Sequence, residues 1–95
     1  MLSESEIKII SDCAQEYGAQ KIVLFGSSLR DSEAAHDIDL GVLGIKPQQF
    51  FSFYGSLLMK LDKPVDLVDL SEKSKFTSLI LKRGQSIYER SAARY

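Results

Sequence analysis

The sequence predicts an α/β or α+β fold: a sheet of about four strands with helices mainly on one face. Short apolar runs rich in β-branched and aromatic residues, at about 21–25, 37–43, 65–69 and 86–89, alternate with stretches of helical period. Helix start and stop residues flank those stretches. Carboxylates also interrupt two of the strand-like runs, at Asp37, Asp39 and Asp66.

Taken in order, Ser3-x-x-Glu6 is a capping box, and Ile7, Ile10, Ala14 and Tyr17 follow at helical spacing. Gly18 ends that helix. Lys21-Ile22-Val23-Leu24-Phe25 reads as a short buried strand cut off by Gly26. Gly26-Ser27-Ser28 turns the chain, with Ser27 or Ser28 placed to cap a short helical turn toward Arg30. Residues 31–36 read as a polar loop ahead of the second strand. Pro47 opens a second helix, with Phe50, Phe53, Tyr54, Leu57, Leu58 and Leu61 repeating every three or four residues. Pro64 precedes a third strand. Ser71 is expected to cap a third helix with Phe76, Leu79 and Ile80 inward, before a last strand.

Residues 1–95 read as one domain, without linker, repeat or low-complexity segment. Apolar content of 44% and charged content of 26% are those of an ordinary globular protein. A net charge of −1 argues against a free-standing nucleic-acid binder, which would carry a basic face. No apolar stretch approaches a membrane span, and the first residues lack the order of a secretory signal. Cys13 is the only cysteine, so a reducing cytoplasm is the expected location. Its place in an amphipathic helix makes it a packing residue. More aromatic rings stand at Phe50, Phe51, Phe53 and Tyr54 than one helix face buries, so Phe51 is expected to sit in an exposed patch open to a partner.

The chemistry begins at Asp37-Ile38-Asp39-Leu40. Two acids one residue apart in a strand point the same way. Side by side they repel, and a hard divalent cation such as Mg²⁺ removes that repulsion while sharing itself with phosphates. The alternative is a pair of surface acids at a strand end. The strand, small-residue turn and helix start at residues 21–30 leave backbone N–H groups that suit a phosphate, and glycine permits close approach. Asp66, between Val65 and Leu67, repeats the placement of Asp39 between Ile38 and Leu40 and is chosen as the third carboxylate. Asp69 falls on the opposite face and reads as a turn or solvent residue. Arg30 either contacts phosphate bidentately or pairs with a nearby acid. His36 reads as solvated, with a phosphate contact as the alternative. Lys82, Arg83, Arg90 and Arg94 read as a solvated rim or as help for a nucleotide or RNA-bearing partner.

The run Leu24-Phe25-Gly26-Ser27, nine residues, then Asp37-Ile38-Asp39-Leu40 resembles the signature of the DNA polymerase beta nucleotidyltransferase superfamily. Asp66 in Val-Asp-Leu matches that family's third acid, and Arg30 a common arginine. The short chain looks most like the minimal nucleotidyltransferase (MNT) domains of MNT/HEPN antitoxin type. Ser28 departs from the pattern, standing where many relatives carry arginine. The resemblance implies a mixed sheet of polymerase-beta-like fold. Asp37 and Asp39 would bind two Mg²⁺ ions, and Asp66 would contact the catalytic one. Gly26, Ser27, Ser28 and Arg30 would bind the nucleotide. It further implies transfer of AMP from ATP to a helical HEPN-type toxin in a hetero-oligomer. The alternative is a catalytically silent module that neutralises such a partner by contact alone.

Overall fold

The computed structural model describes residues 2–26 and 37–90. Along the chain run helix α1 (Glu4–Glu16), strands β1 (Lys21–Phe25) and β2 (Ile38–Leu43), helix α2 (Pro47–Lys60), strand β3 (Val65–Asp69), helix α3 (Lys75–Arg83) and strand β4 (Gln85–Glu89). The strands form one mixed sheet in the order β3-β2-β1-β4. β1 pairs antiparallel with β2 and with β4, while β2 and β3 pair parallel. A parallel pair needs a crossover between its strands, and α2 provides it.

Alternation along the strands sorts the side chains into two layers. Ile22 and Leu24 of β1, Ile38, Leu40 and Val42 of β2, and Val65 of β3 join Ile10, Cys13, Ala14, Phe53 and Leu57 from α1 and α2 in the main core. Val23 faces the other way, onto Leu70 and Ile80, with Phe25, Leu43 and Val68 around them. Two helices therefore cover one face, as the sequence predicts, and α3 covers only the β1 side of the other. The β2–β3 half of that second face carries Asp39 and Asp66.

Local signals explain most element ends. Ser3 caps α1: the Glu6 N–H donates to Ser3 Oγ at 3.1 Å, and the Ser3 N–H donates to Glu6 Oε1 at 2.9 Å. Gly18 follows the α1 C-cap with φ 74°, the left-handed position that glycine fills without strain. Pro47 stands at the start of α2, where its missing N–H has no helical partner to lose. Cys13 is buried. Tyr54 Oη donates to the Val65 carbonyl, tying α2 to the start of β3.

The third helix departs from expectation. Ser74, not Ser71, caps α3, with a reciprocal capping box to Thr77. Ser71 instead donates its N–H and hydroxyl to Asp69 Oδ1, at 3.0 and 2.6 Å, so Asp69 is the turn residue expected and holds Ser71 out of the helix. Phe76 and Leu79 are not inward: they are 54% and 49% exposed, and the buried seam of α3 is Thr77 and Ile80. The cause lies at Gly84, where an added Cβ would meet Val23 Cγ1 at 2.3 Å and Leu24 O at 2.9 Å. This close approach of the helix end to β1 fixes the rotation of α3 and turns Phe76 and Leu79 to its flank. Leu58 also faces outward, at 47% exposed, beside Met59, while Phe51 is exposed as expected.

Glu6 carries a pH-dependent part of the stability. Burial pushes its carboxyl up, but the Ser3 N–H, the Lys63 ammonium and the Ser3 hydroxyl together bring it below the ordinary value. Lys63 Nζ lies 3.4 Å from Glu6 Oε2 and ties the approach to β3 to the first turn of α1. A carboxylate with a lowered folded pKa stabilises fully above its unfolded value, about 4.3, and loses that contribution as pH falls through the folded value. Thermal denaturation of the wild type and Glu6→Gln is expected to show a gap in Tm near neutral pH that closes in acid. Gly84→Ala is expected to lower Tm by several degrees at any pH, about 4–8 °C per kcal/mol in a domain of this size.

Candidate active site

The sheet register sets the geometry. Phe25, the last residue of β1, stands opposite Asp39, and Asp39 stands opposite Asp66 across the parallel pair. Asp39 lies between buried Ile38 and Leu40, which enter the main core, so its side chain takes the opposite face. Asp66 lies likewise between Val65 and Leu67 and shares that face. Neighbouring strands run about 4.8 Å apart, so two carboxylates at paired positions come within mutual repulsion. Asp39 is half-buried, whereas Asp66 is exposed.

Gly26 completes the row. Its φ is 66°, and a Cβ placed on it would meet Asp39 Oδ2 at 2.5 Å and Asp39 Cγ at 3.2 Å. The Asp39 carboxylate therefore lies against the bare Cα of the turn. Any side chain at Gly26 would fill the cradle between turn and acid.

Asp37 sits just outside β2, two positions before Asp39 and in the same pleat phase, and it is exposed. Among the described residues no group of three His, Cys, Asp or Glu side chains stands close enough to hold a metal ion. Backbone pairing thus brings together Asp39, Asp66 and the Gly26 turn, while Asp37 lies at the open end of the row. Ser27, Ser28, Arg30, His36 and Arg94 lie outside the described residues. The donors in place are carboxylate oxygens beside a glycine cradle, a set suited to a hard divalent cation.

One element of this region was not legible beforehand. A cavity of about 320 Å³ adjoins Gly26, lined by Phe25, Phe76, Leu79, Ile80, Arg83 and Gly84. The Phe25 and Phe76 rings meet edge to face at 5.9 Å. In the sequence Arg83 reads as rim and Phe76 as core; the seating of α3 through Gly84 brings both beside the turn.

The family model for polymerase beta nucleotidyltransferases matches residues 8–93. The chain belongs to this family. Among curated proteins none matches it. Solved structures similar to this nucleotidyltransferase domain include toxin–antitoxin complexes. One is an MntA-HpeT complex with two Asp-to-Glu substitutions two residues apart, 26% identical, with a TM-score of 0.71 over 90% of this chain and 73% of that one. A toxin–antitoxin structure with AMP-PNP is 26% identical, with a TM-score of 0.66 over 94% and 75% of the two chains. A complex of a tri-AMPylated Shewanella oneidensis HEPN toxin with its MNT antitoxin is 23% identical and shares the fold, with a TM-score of 0.70 over 94% and 74%.

Two glycine substitutions separate backbone strain from the cradle. Gly18→Ala and Gly26→Ala both place a Cβ in left-handed backbone, which costs about 1–2 kcal/mol. Gly18 has nothing within 4 Å of that Cβ, whereas Gly26 meets Asp39. Both variants are expected to lose several degrees of Tm. Only Gly26→Ala is expected to weaken Mg²⁺ or Mn²⁺ affinity as well, checked by calorimetric titration.

Proposed function

We propose that this domain transfers AMP from ATP, with Mg²⁺, to a helical HEPN-type toxin and thereby acts as its antitoxin. The observation that carries this is the row Gly26–Asp39–Asp66 across the sheet, in a chain of the nucleotidyltransferase family. The similar complexes with AMP-PNP and with a tri-AMPylated toxin support the choice of nucleotide and acceptor. The exposed Phe51, Leu58 and Met59 on α2 offer a protein partner an apolar surface.

In this proposal Asp37, Asp39 and Asp66 would hold two metal ions, with Asp66 at the catalytic one. The bound cations supply charge neutralisation at the attacking and leaving oxygens of an in-line displacement. Gly26 lets the phosphates approach the backbone, and Ser27, Ser28 and Arg30 bind them from the segment that follows. Asp66 takes the proton of the acceptor hydroxyl. The hydroxyl oxygen then bonds to the α-phosphorus, the bond from that phosphorus to the bridging oxygen breaks, and pyrophosphate leaves.

Intact-mass spectrometry of a candidate HEPN-type partner mixed with this domain, ATP and Mg²⁺ tests the proposal. Added adenylyl mass is expected. Asp39→Asn is expected to lower the transfer rate by more than about 100-fold, since loss of even an outer-shell partner costs 10–100-fold. It should leave partner binding intact. A folded wild type that neutralises the partner without adding mass would refute the transferase and favour the silent binding module.

A further inference from the structure

Among the described residues that line the cavity beside Gly26 there is one cation, Arg83. Arg83 is the last residue of α3, and the helix end is held tightly on β1. The Gly84 N–H donates to the Ile80 carbonyl at 2.7 Å, and Gly84 leaves no room for a Cβ against Val23. The backbone that carries Arg83 is thus held against the same strand whose end leads into the Gly26 turn. Among the described residues the ion pairs are Lys8–Asp12, Lys21–Glu89 and Lys63–Glu6, and Arg83 is in none of them. The other side chains of the cavity are Phe25, Phe76, Leu79 and Ile80. Arg83 is exposed at the edge of this apolar wall, where its guanidinium is open to an anion arriving from solvent. Helix-end placement gives Arg83 a structural use as well, because a cation near a helix C-terminus is favourable. Lys82 fills that use equally and faces the neighbouring groove with Lys73, Lys75 and Ser78 instead.

We propose that Arg83 binds the polyphosphate end of the nucleoside triphosphate, on the cavity side of the Gly26 turn. This rests on the nucleotidyltransferase reading above and adds a cation from a different element of the fold. The planar guanidinium can grip a phosphate through two parallel N–H donors, which a lysine ammonium cannot reproduce.

Calorimetric titration with Mg²⁺-ATP, AMP and inorganic tripolyphosphate is the test, using the wild type, Arg83→Ala, Arg83→Lys and Lys82→Ala. A hydrogen bond to a charged group is worth about 1.5–3 kcal/mol, so Arg83→Ala is expected to weaken ATP and tripolyphosphate about 10- to 100-fold. AMP is expected to bind unchanged, Arg83→Lys to recover part of the loss, and Lys82→Ala to bind like the wild type. An Arg83→Ala protein that melts lower but binds ATP normally would leave the residue a purely structural role and overturn the proposal. Equal losses in Arg83→Ala and Lys82→Ala would reduce it to general charge and overturn it too. A folded wild type that binds neither ATP nor tripolyphosphate would overturn the nucleotide reading itself, and this proposal with it.

Discussion

Asp39 is held between two ladders, one antiparallel to β1 and one parallel to β3, and everything at the candidate site follows from that double pairing. The antiparallel ladder ends at Phe25 and places the Gly26 turn against the Asp39 carboxylate. The parallel ladder places Asp66 beside it. A slip of one residue in either pairing would send the acid into the main core, where an unpaired carboxylate is prohibitively costly. Burial of Ile38, Leu40 and Val42 on the opposite face therefore holds the register and, with it, the site. The apolar core and the polar site are two faces of one strand.

Among the described residues the two faces of the sheet are covered unequally. α1 and α2 bury the first face almost completely. α3 covers only the β1 side of the second, through Val23, Ile80 and Leu70. Gly41 extends this economy: a Cβ there would meet the Leu70 side chain at 2.7 Å, so Leu70 packs flat on the strand below Asp39. The strand that carries Asp39 thus has an apolar cover two residues on, at Gly41.

Much of this was legible in the sequence. The capping box at Ser3 and Glu6, the stop at Gly18, the start at Pro47 and the four strands follow from local rules that burial reinforces. The carboxylates stood out because acids inside apolar runs demand a reason, and Asp39 and Asp66 do share one face. What the sequence could not reveal is contact between distant segments. Neither the strand order nor the β2–β3 register is written in local pattern. The rotation of α3 depends on Gly84 meeting Val23, a pair 61 positions apart. That contact turned Phe76 and Leu79 outward and brought Arg83 to the turn. The choice between Ser71 and Ser74 as cap was likewise settled by Asp69, whose carboxylate engages Ser71 first.

The proposed transfer requires divalent cations bound where β1, β2 and β3 bring Gly26, Asp39 and Asp66 together, with Asp37 beside them. Paramagnetic broadening of backbone amide signals by Mn²⁺, in the presence of ATP, locates a bound cation directly. Broadening centred on residues 25–26, 37–39 and 65–67, and abolished in Asp39→Asn, is the expected result. Broadening centred elsewhere on the fold, or unchanged by the loss of the Asp39 charge, would contradict it.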